Sequence, residues 1–182
     1  MKKWLNITFW VIVFGALLFG GYTYYHRNQQ EQEQAEVLEQ IEEVIEVPDF
    51  TLQNLNGEKV RLSDYQGKVV ILNFWAMRCR FCVEEMPDFE NAHQQLEKQG
   101  DAVILTINVR EPVDRVRQYI EKEGFNMPVL LDEKGEVAAM YDLRSFPTTY
   151  IINPDGTLYN GILGKTDKET ILNVAKIVAR KR

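Results

Sequence analysis

Cysteine is nearly absent from this 182-residue chain, which has two. Two cysteines cannot staple a disulfide framework and cannot alone fill a four-ligand zinc site. Histidine is as scarce, with His26 and His93 the only copies, so chemistry that needs a histidine cluster is excluded. There is no basic excess: 21 Lys and Arg face 27 Asp and Glu, a formal net charge of −6. A nucleic-acid binder would carry a basic stripe, so no nucleic-acid partner is expected. Proline and glycine, at 6 and 11 copies, are too few for a collagen-like or low-complexity chain. What is present is 45% apolar and 26% charged residues, the composition of one globular domain with room for an appendage.

The appendage is N-terminal. Trp4 to Tyr25 is a run of 22 residues without a formal charge. A helix needs about 20 such residues to cross a bilayer core of ~30 Å. Lys2 and Lys3 precede the run and an acidic stretch follows it. The positive-inside rule then places the N-terminus in the cytoplasm and the rest outside, on a single-pass anchor. Trp4, Tyr22, Tyr24 and Tyr25 stand at the ends, where aromatic rings favour the headgroups. The alternative is a cleaved signal peptide, for which Gly21-Tyr22-Thr23 is a poor cleavage site. The expected division is residues 1–27 as cytoplasmic tip and anchor, 28–46 as spacer and 47–182 as the folded domain. The spacer holds seven Glu, five Gln and no Lys or Arg, leaving 18 basic and 20 acidic residues after it. The acidity therefore lies in the spacer, read as a solvated stalk rather than a docking face for a basic partner.

Residues 47–182 show a mixed pattern. Asn56-Gly57 between two short apolar-polar runs signals a hairpin. Val69 to Trp75 is a continuous apolar run, as in a strand buried on both faces. A helix through Glu84, Phe89 and Leu96 should follow and end at Gly100. Ala102 to Val109 is a second buried strand, Pro112 opens a helix ending near Gly124, and Pro128 to Leu131 is a short strand. After a helical turn at Glu136 to Tyr141 come strands over Thr148 to Ile152 and Thr157 to Leu163. Asp167 then caps a last helix. The pattern predicts an α/β fold, a central mixed sheet flanked by helices and preceded by a β-hairpin.

Both cysteines lie in Cys79-Arg80-Phe81-Cys82, after the buried strand and at the start of the helix. Two intervening residues bring the sulfurs within bonding reach across the first turn. A helix N-terminus offers partial positive charge and free amides, both of which favour a thiolate. Arg78 and Arg80 add to that field. Cys79 should be the exposed attacking sulfur, and Cys82, one turn inside, the buried sulfur that resolves the mixed disulfide. Half a zinc site is the competing reading, but there is no further cysteine and His93 is eleven residues down the same helix. A structural disulfide is also weak, because so short a loop constrains little chain entropy. No metal and no cofactor are expected.

Three segments carry a family likeness. They are Asn73-Phe74-Trp75-Ala76-Met77-Arg78-Cys79-Arg80-Phe81-Cys82, then Glu84-Glu85-Met86-Pro87, then Phe146-Pro147 through Gly156. With them the chain resembles the membrane-anchored TlpA/ResA-type thiol-disulfide oxidoreductases, over essentially all of Val47 to Arg182. The resemblance implies a thioredoxin-like fold and a redox-active Cys79/Cys82 couple. It also implies that Pro147 is the cis-proline facing the disulfide and that Glu85 is the acidic residue one turn beyond the second cysteine. A buried Glu85 could hold or relay a proton, whereas a solvated one would resemble Glu84. Asn73 stands where cytosolic thioredoxins carry a buried Asp. Two positions depart from the family pattern: Arg78 replaces the common Trp before the first cysteine, and Phe81 the common Pro before the second.

The resemblance further implies reduction of disulfides in apocytochrome c during cytochrome c maturation, with re-reduction by an integral-membrane thiol electron donor. Two alternatives stand beside it: a disulfide oxidant or isomerase for other exported proteins, and a redox-switched binding module. A thiol peroxidase would need Thr or Ser three residues before the reactive cysteine, where Ala76 stands. Gly164-Lys165-Thr166 lacks the first glycine of a phosphate loop, since Tyr159 occupies that position.

Overall fold

The computed structural model describes residues 19–30, 32 and 44–180. The expected anchor therefore lies outside the described residues up to residue 18, as does most of the spacer. Residues 19–30 are helical. Among the described residues no helix is long and apolar enough to cross a membrane. The chain divides into two units, Met1–Glu43 and Val44–Arg182, and the second carries the fold.

That unit is built on seven strands: β1 (Thr51–Asn54), β2 (Lys59–Arg61), β3 (Val69–Trp75), β4 (Ala102–Val109), β5 (Val129–Asp132), β6 (Thr148–Ile152) and β7 (Leu158–Leu163). Four helices connect or flank them: α1 (Arg80–Gln99), α2 (Val113–Glu123), α3 (Glu136–Met140) and α4 (Lys168–Ala179). The strand order is β2-β1-β5-β4-β3-β6-β7. β3, β4 and β5 are parallel, and β1 and β6 join this centre antiparallel. The β1–β2 hairpin turns at Asn56-Gly57, where Gly57 takes a φ of 82°. Its place in the sheet, with β1 beside β5, does not follow from local pattern.

Every residue of β3 is buried, which explains its unbroken apolar run. Its alternating side chains feed two cores. Val69, Ile71 and Trp75 pack with Met86, Phe89 and Leu96 of α1, Val116 and Ile120 of α2, and Ile171, Ala175 and Val178 of α4. Val70, Leu72 and Phe74 pack on the other face with Phe50, Leu62 and Val137. α1 and α2 share a face because both belong to β-α-β crossovers running the same way across the sheet, and such crossovers are right-handed. α1 ends at Gly100, whose φ of 80° allows its amide to reach Leu96 O at 2.9 Å. Asp167 caps α4, accepting from the Thr170 amide at 2.9 Å. The chain joins the sheet before Val47. Leu158 N donates to Ile45 O at 2.8 Å, and Val47 N to Gly156 O at 3.2 Å.

A buried carboxylate fixes the middle of α1. Glu90 Oε2 accepts from the amides of Asn126 and Met127 at 2.8 and 2.9 Å, and Oε1 accepts from Gln94 Nε2 at 2.8 Å. These amides lead into β5, so the bond ties α1 to the sheet across 36 residues. Glu90→Ala leaves two amides without an acceptor. A loss of about 2–3 kcal/mol in urea unfolding is expected, and no loss would mean that water replaces the carboxylate.

Candidate active site

The site forms where β3 ends. Between Trp75 and Arg80 the chain makes a short turn, and Cys79 becomes the N-cap of α1. The Cys82 amide donates to Cys79 Sγ at 3.2 Å. Cys79 and Cys82 are joined as a disulfide, with Cα atoms 5.2 Å apart. Cys82 is fully buried in the α1 core, whereas Cys79 is half-buried and packs on the edge of that core. One sulfur is thus open to a partner and the other reachable only through it. The Val83 amide donates to Cys79 O at 3.1 Å, closing the first turn.

Glu85 lies three residues beyond Cys82 on the same helix face. It is fully buried, unlike half-exposed Glu84. Oε1 accepts from Asn73 Nδ2 at 2.9 Å, and Oε2 from the Thr166 amide at 2.9 Å. Asn73 Nδ2 also donates to Thr149 Oγ1 at 3.0 Å. β3, α1 and the turn before α4 therefore meet at one carboxyl group, and β6 joins them through Asn73. Burial pushes this carboxyl up to about 7, against the pull of the Thr166 and Asn73 hydrogen bonds and the charge of Lys165. Asn73 Oδ1 and Thr166 Oγ1 are buried with no hydrogen-bond partner among the described residues.

Pro147 is buried, and its bond to Phe146 is cis. Its carbonyl accepts from the Gly164 amide at 2.9 Å, which links the loop before β6 to the turn before α4. Phe146 and Cys79 pack against the same apolar cluster. Phe81, between the cysteines, is 59% exposed, and Leu163 at the end of β7 is 76% exposed. Phe81 adds apolar surface beside the open sulfur.

Arg78 and Arg80 are exposed, and each has a carboxylate partner. Arg80 Nε lies 2.7 Å from Glu84 Oε1, and Lys165 Nζ 3.4 Å from Glu84 Oε2. Arg78 Nη1 lies 3.8 Å from Glu111 Oε1. The positive field at Cys79 is therefore weaker than the two arginines alone suggest. Glu111 lies outside every motif. A lone acidic residue after a buried strand carries no local signal, and its partners sit 33 and 34 residues upstream. Among the described residues no group of His, Cys, Asp and Glu is placed to hold a metal ion.

A mixed sheet flanked by helices, with a C-x-x-C disulfide capping the first long helix, defines a thioredoxin-fold dithiol–disulfide protein. Comparison with known proteins agrees. Residues 45–160 match the model of the AhpC/TSA family. The chain is 34% identical over 140 residues to "Thiol-disulfide oxidoreductase ResA" of Bacillus subtilis, covering 77% of this chain and 78% of that one. It is 40% identical over 124 residues to the protein of the same name from Geobacillus kaustophilus, covering 68% and 71%. The crystal structure of the exposed lipoprotein thioredoxin Etrx1 of Streptococcus pneumoniae superposes with a TM-score of 0.64 at 32% identity, over 71% of this chain and 99% of that one. The chain belongs to the AhpC/TSA thioredoxin-like family and, within it, to the ResA-like thiol-disulfide oxidoreductases.

A carboxyl whose folded pKa lies above its ordinary 4.5 keeps its proton on folding between about pH 4.5 and 7. Its contribution is fully favourable below that window and is lost as pH rises through it. In Glu85→Gln the side-chain oxygen can still accept from Thr166, and its amide can donate to Asn73 Oδ1 after the Asn73 amide turns over. Denaturant unfolding should show Glu85→Gln gaining on the native chain as pH rises from 4.5 to 8, while disulfide exchange slows. Parallel stability curves would mean that Glu85 stays ionised in the fold.

Proposed function

We propose that this chain reduces disulfides in exported proteins outside the cytoplasm, held at the membrane by its N-terminal apolar run, with apocytochrome c as the substrate of the ResA type. The carrying observation is the pairing of a half-buried Cys79 at a helix N-cap with a fully buried Cys82, backed by a buried Glu85. An open sulfur that attacks and a closed sulfur that resolves are what two-step exchange requires. The exported location draws on the apolar run after Lys2 and Lys3, and on the exposed lipoprotein among the similar structures.

In the reduced chain, Cys79 thiolate attacks one sulfur of the substrate disulfide and expels the other as a thiolate, which takes up a proton. The mixed disulfide joins Cys79 to the substrate. Cys82 then loses its proton to the Glu85 carboxylate and attacks Cys79 Sγ, releasing the second substrate sulfur. Two electrons pass to the substrate, and the Cys79–Cys82 disulfide remains. A membrane-embedded dithiol donor returns the two electrons by the reverse exchange. Pro147 and the backbone of Phe146 offer an edge along which an extended substrate lies. The residues 28–46 serve as a spacer between the anchor and the domain 47–182, except that Ile45 and Glu46 already pair with the chain around Thr157.

Cys82→Ser should accumulate a mixed disulfide through Cys79 with an oxidised C-x-x-C-H peptide. Cys79→Ser should accumulate none and should lose turnover. Mass spectrometry of the trapped adduct checks both, and an adduct on Cys82 of the Cys79→Ser chain would reverse the roles.

A further inference from the structure

Glu111 stands in the turn between β4 and α2, yet its carboxylate is bonded to the turn that delivers Cys79. Oε2 accepts from the Met77 amide at 2.8 Å and from Asn108 Nδ2 at 2.8 Å. Oε1 accepts from the Arg78 amide at 3.3 Å and lies 3.8 Å from Arg78 Nη1. Arg78 Nη1 also donates to Val109 O at 3.4 Å. The Glu111 side chain is 9% exposed. With the Cys79 amide donating to Ala76 O at 3.1 Å, the three consecutive amides of Met77, Arg78 and Cys79 all have acceptors.

The aim of this carboxylate is set by its neighbour. Arg110 has a φ of 57°, a conformation that a non-glycine residue adopts rarely and that reverses the chain within one residue of β4. Two bonds hold it there, from Arg110 N to Asp132 O at 3.0 Å and from Nε to Lys134 O at 3.3 Å. The arginine side chain lies against Gly135, where a Cβ would collide with it. An unusual backbone, a close approach over glycine and a buried carboxylate thus converge on the two residues before the open cysteine.

We propose that Glu111 is a positioning residue of the redox site: its carboxylate fixes the Ala76–Arg78 turn so that Cys79 stands at the N-cap of α1, and it neutralises Arg78 beside the sulfur. The proposal rests on the dithiol chemistry above. The charged groups arrayed around the dithiol are Arg78, Arg80 and Glu84 at the start of α1, Glu85 and Asp88 further along it, Glu111 from the β4–α2 turn and Lys165 from the turn before α4. Glu111 acts in two opposed ways. As a clamp it holds the attacking geometry. As an anion it opposes the Cys79 thiolate and cancels the arginine that would favour it. The two effects separate by substitution. Glu111→Gln keeps an acceptor for Met77 and removes the charge, and Glu111→Ala removes both.

The test uses the full chain in its reduced form. It measures iodoacetamide labelling of Cys79 against pH, by peptide mass spectrometry, and exchange with a small aromatic disulfide at a pH where Cys79 is ionised. Glu111→Gln should label about two- to tenfold faster at pH 6, a fall of roughly a third to one pKa unit, with a smaller effect at high salt. Its exchange at high pH should stay within about threefold of the native chain. Glu111→Ala should lose about tenfold or more in that exchange, the cost of a misplaced nucleophile. An unchanged labelling profile in Glu111→Gln overturns the proposal. So does undiminished exchange in a folded Glu111→Ala, and so do variants that differ only in unfolding midpoint. A native chain that reduces no protein disulfide would defeat the function proposed above, while the labelling comparison would still read Glu111.

Discussion

The hydrogen bond from the Cys82 amide to the Cys79 sulfur is the interaction on which the site depends. It exists because Cys79 is the N-cap of α1, where amides lack intrahelical acceptors and carry the positive end of the helix dipole. A sulfur in that position is better satisfied as a thiolate than as a neutral thiol, so the arrangement favours the nucleophile. The same geometry makes the two cysteines unequal. The cap residue stays at the surface of the domain, and the residue one turn inside faces the core between β3 and α1. Burial alone then distinguishes an open sulfur from a closed one. Each feature follows from a fully buried strand that ends at Trp75 and feeds a helix within five residues.

Three carboxylates hold that helix and its entry by accepting backbone amides, and Glu111 also faces the Arg78 guanidinium. Glu111 takes the amides before Cys79, Glu85 the amide of Thr166, and Glu90 those of Asn126 and Met127. A buried charge is tolerated only when its oxygens are satisfied. Glu85 and Glu90 show the balance from both sides. Burial pushes each carboxyl up. At Glu90, bonds from Gln94, Met127 and Asn126 reverse the push and leave it below the ordinary value. At Glu85 the bonds from Thr166 and Asn73 do not, and the group stays near neutrality. Glu90 is therefore a fixed strut, and Glu85 a group that can change its proton.

Much of this was legible in the sequence, for reasons that can be named. The strand Val69–Trp75 showed as an apolar run, the end of α1 as Gly100, and the cap of α4 as Asp167, because these signals are local. The cysteine spacing carried the disulfide at the start of α1, and the resemblance carried the cis bond at Pro147. The burial of Glu85 needed the structure, since Glu84 and Glu85 are indistinguishable until the helix is docked. Glu90 and Glu111 were not legible, because the amides they accept from lie more than 30 residues away. The pairing of Ile45 and Val47 with the start of β7 was hidden for the same reason, inside a stretch that local composition marks as spacer. The sequence showed Arg78 and Arg80 beside the first cysteine, and the structure adds the carboxylates of Glu111 and Glu84 that face them.

A reductant of exported disulfides requires that stabilisation of the Cys79 thiolate stop short of making the dithiol a strong oxidant. The paired arginines and the anion of Glu111 work toward that limit, and the helix N-terminus works against it. The equilibrium reduction potential of the Cys79/Cys82 couple, measured against glutathione at pH 7, weighs these effects directly. A value of about −250 mV or below is expected for a reductant, and a value near about −120 mV, that of a strong disulfide oxidant, would contradict it.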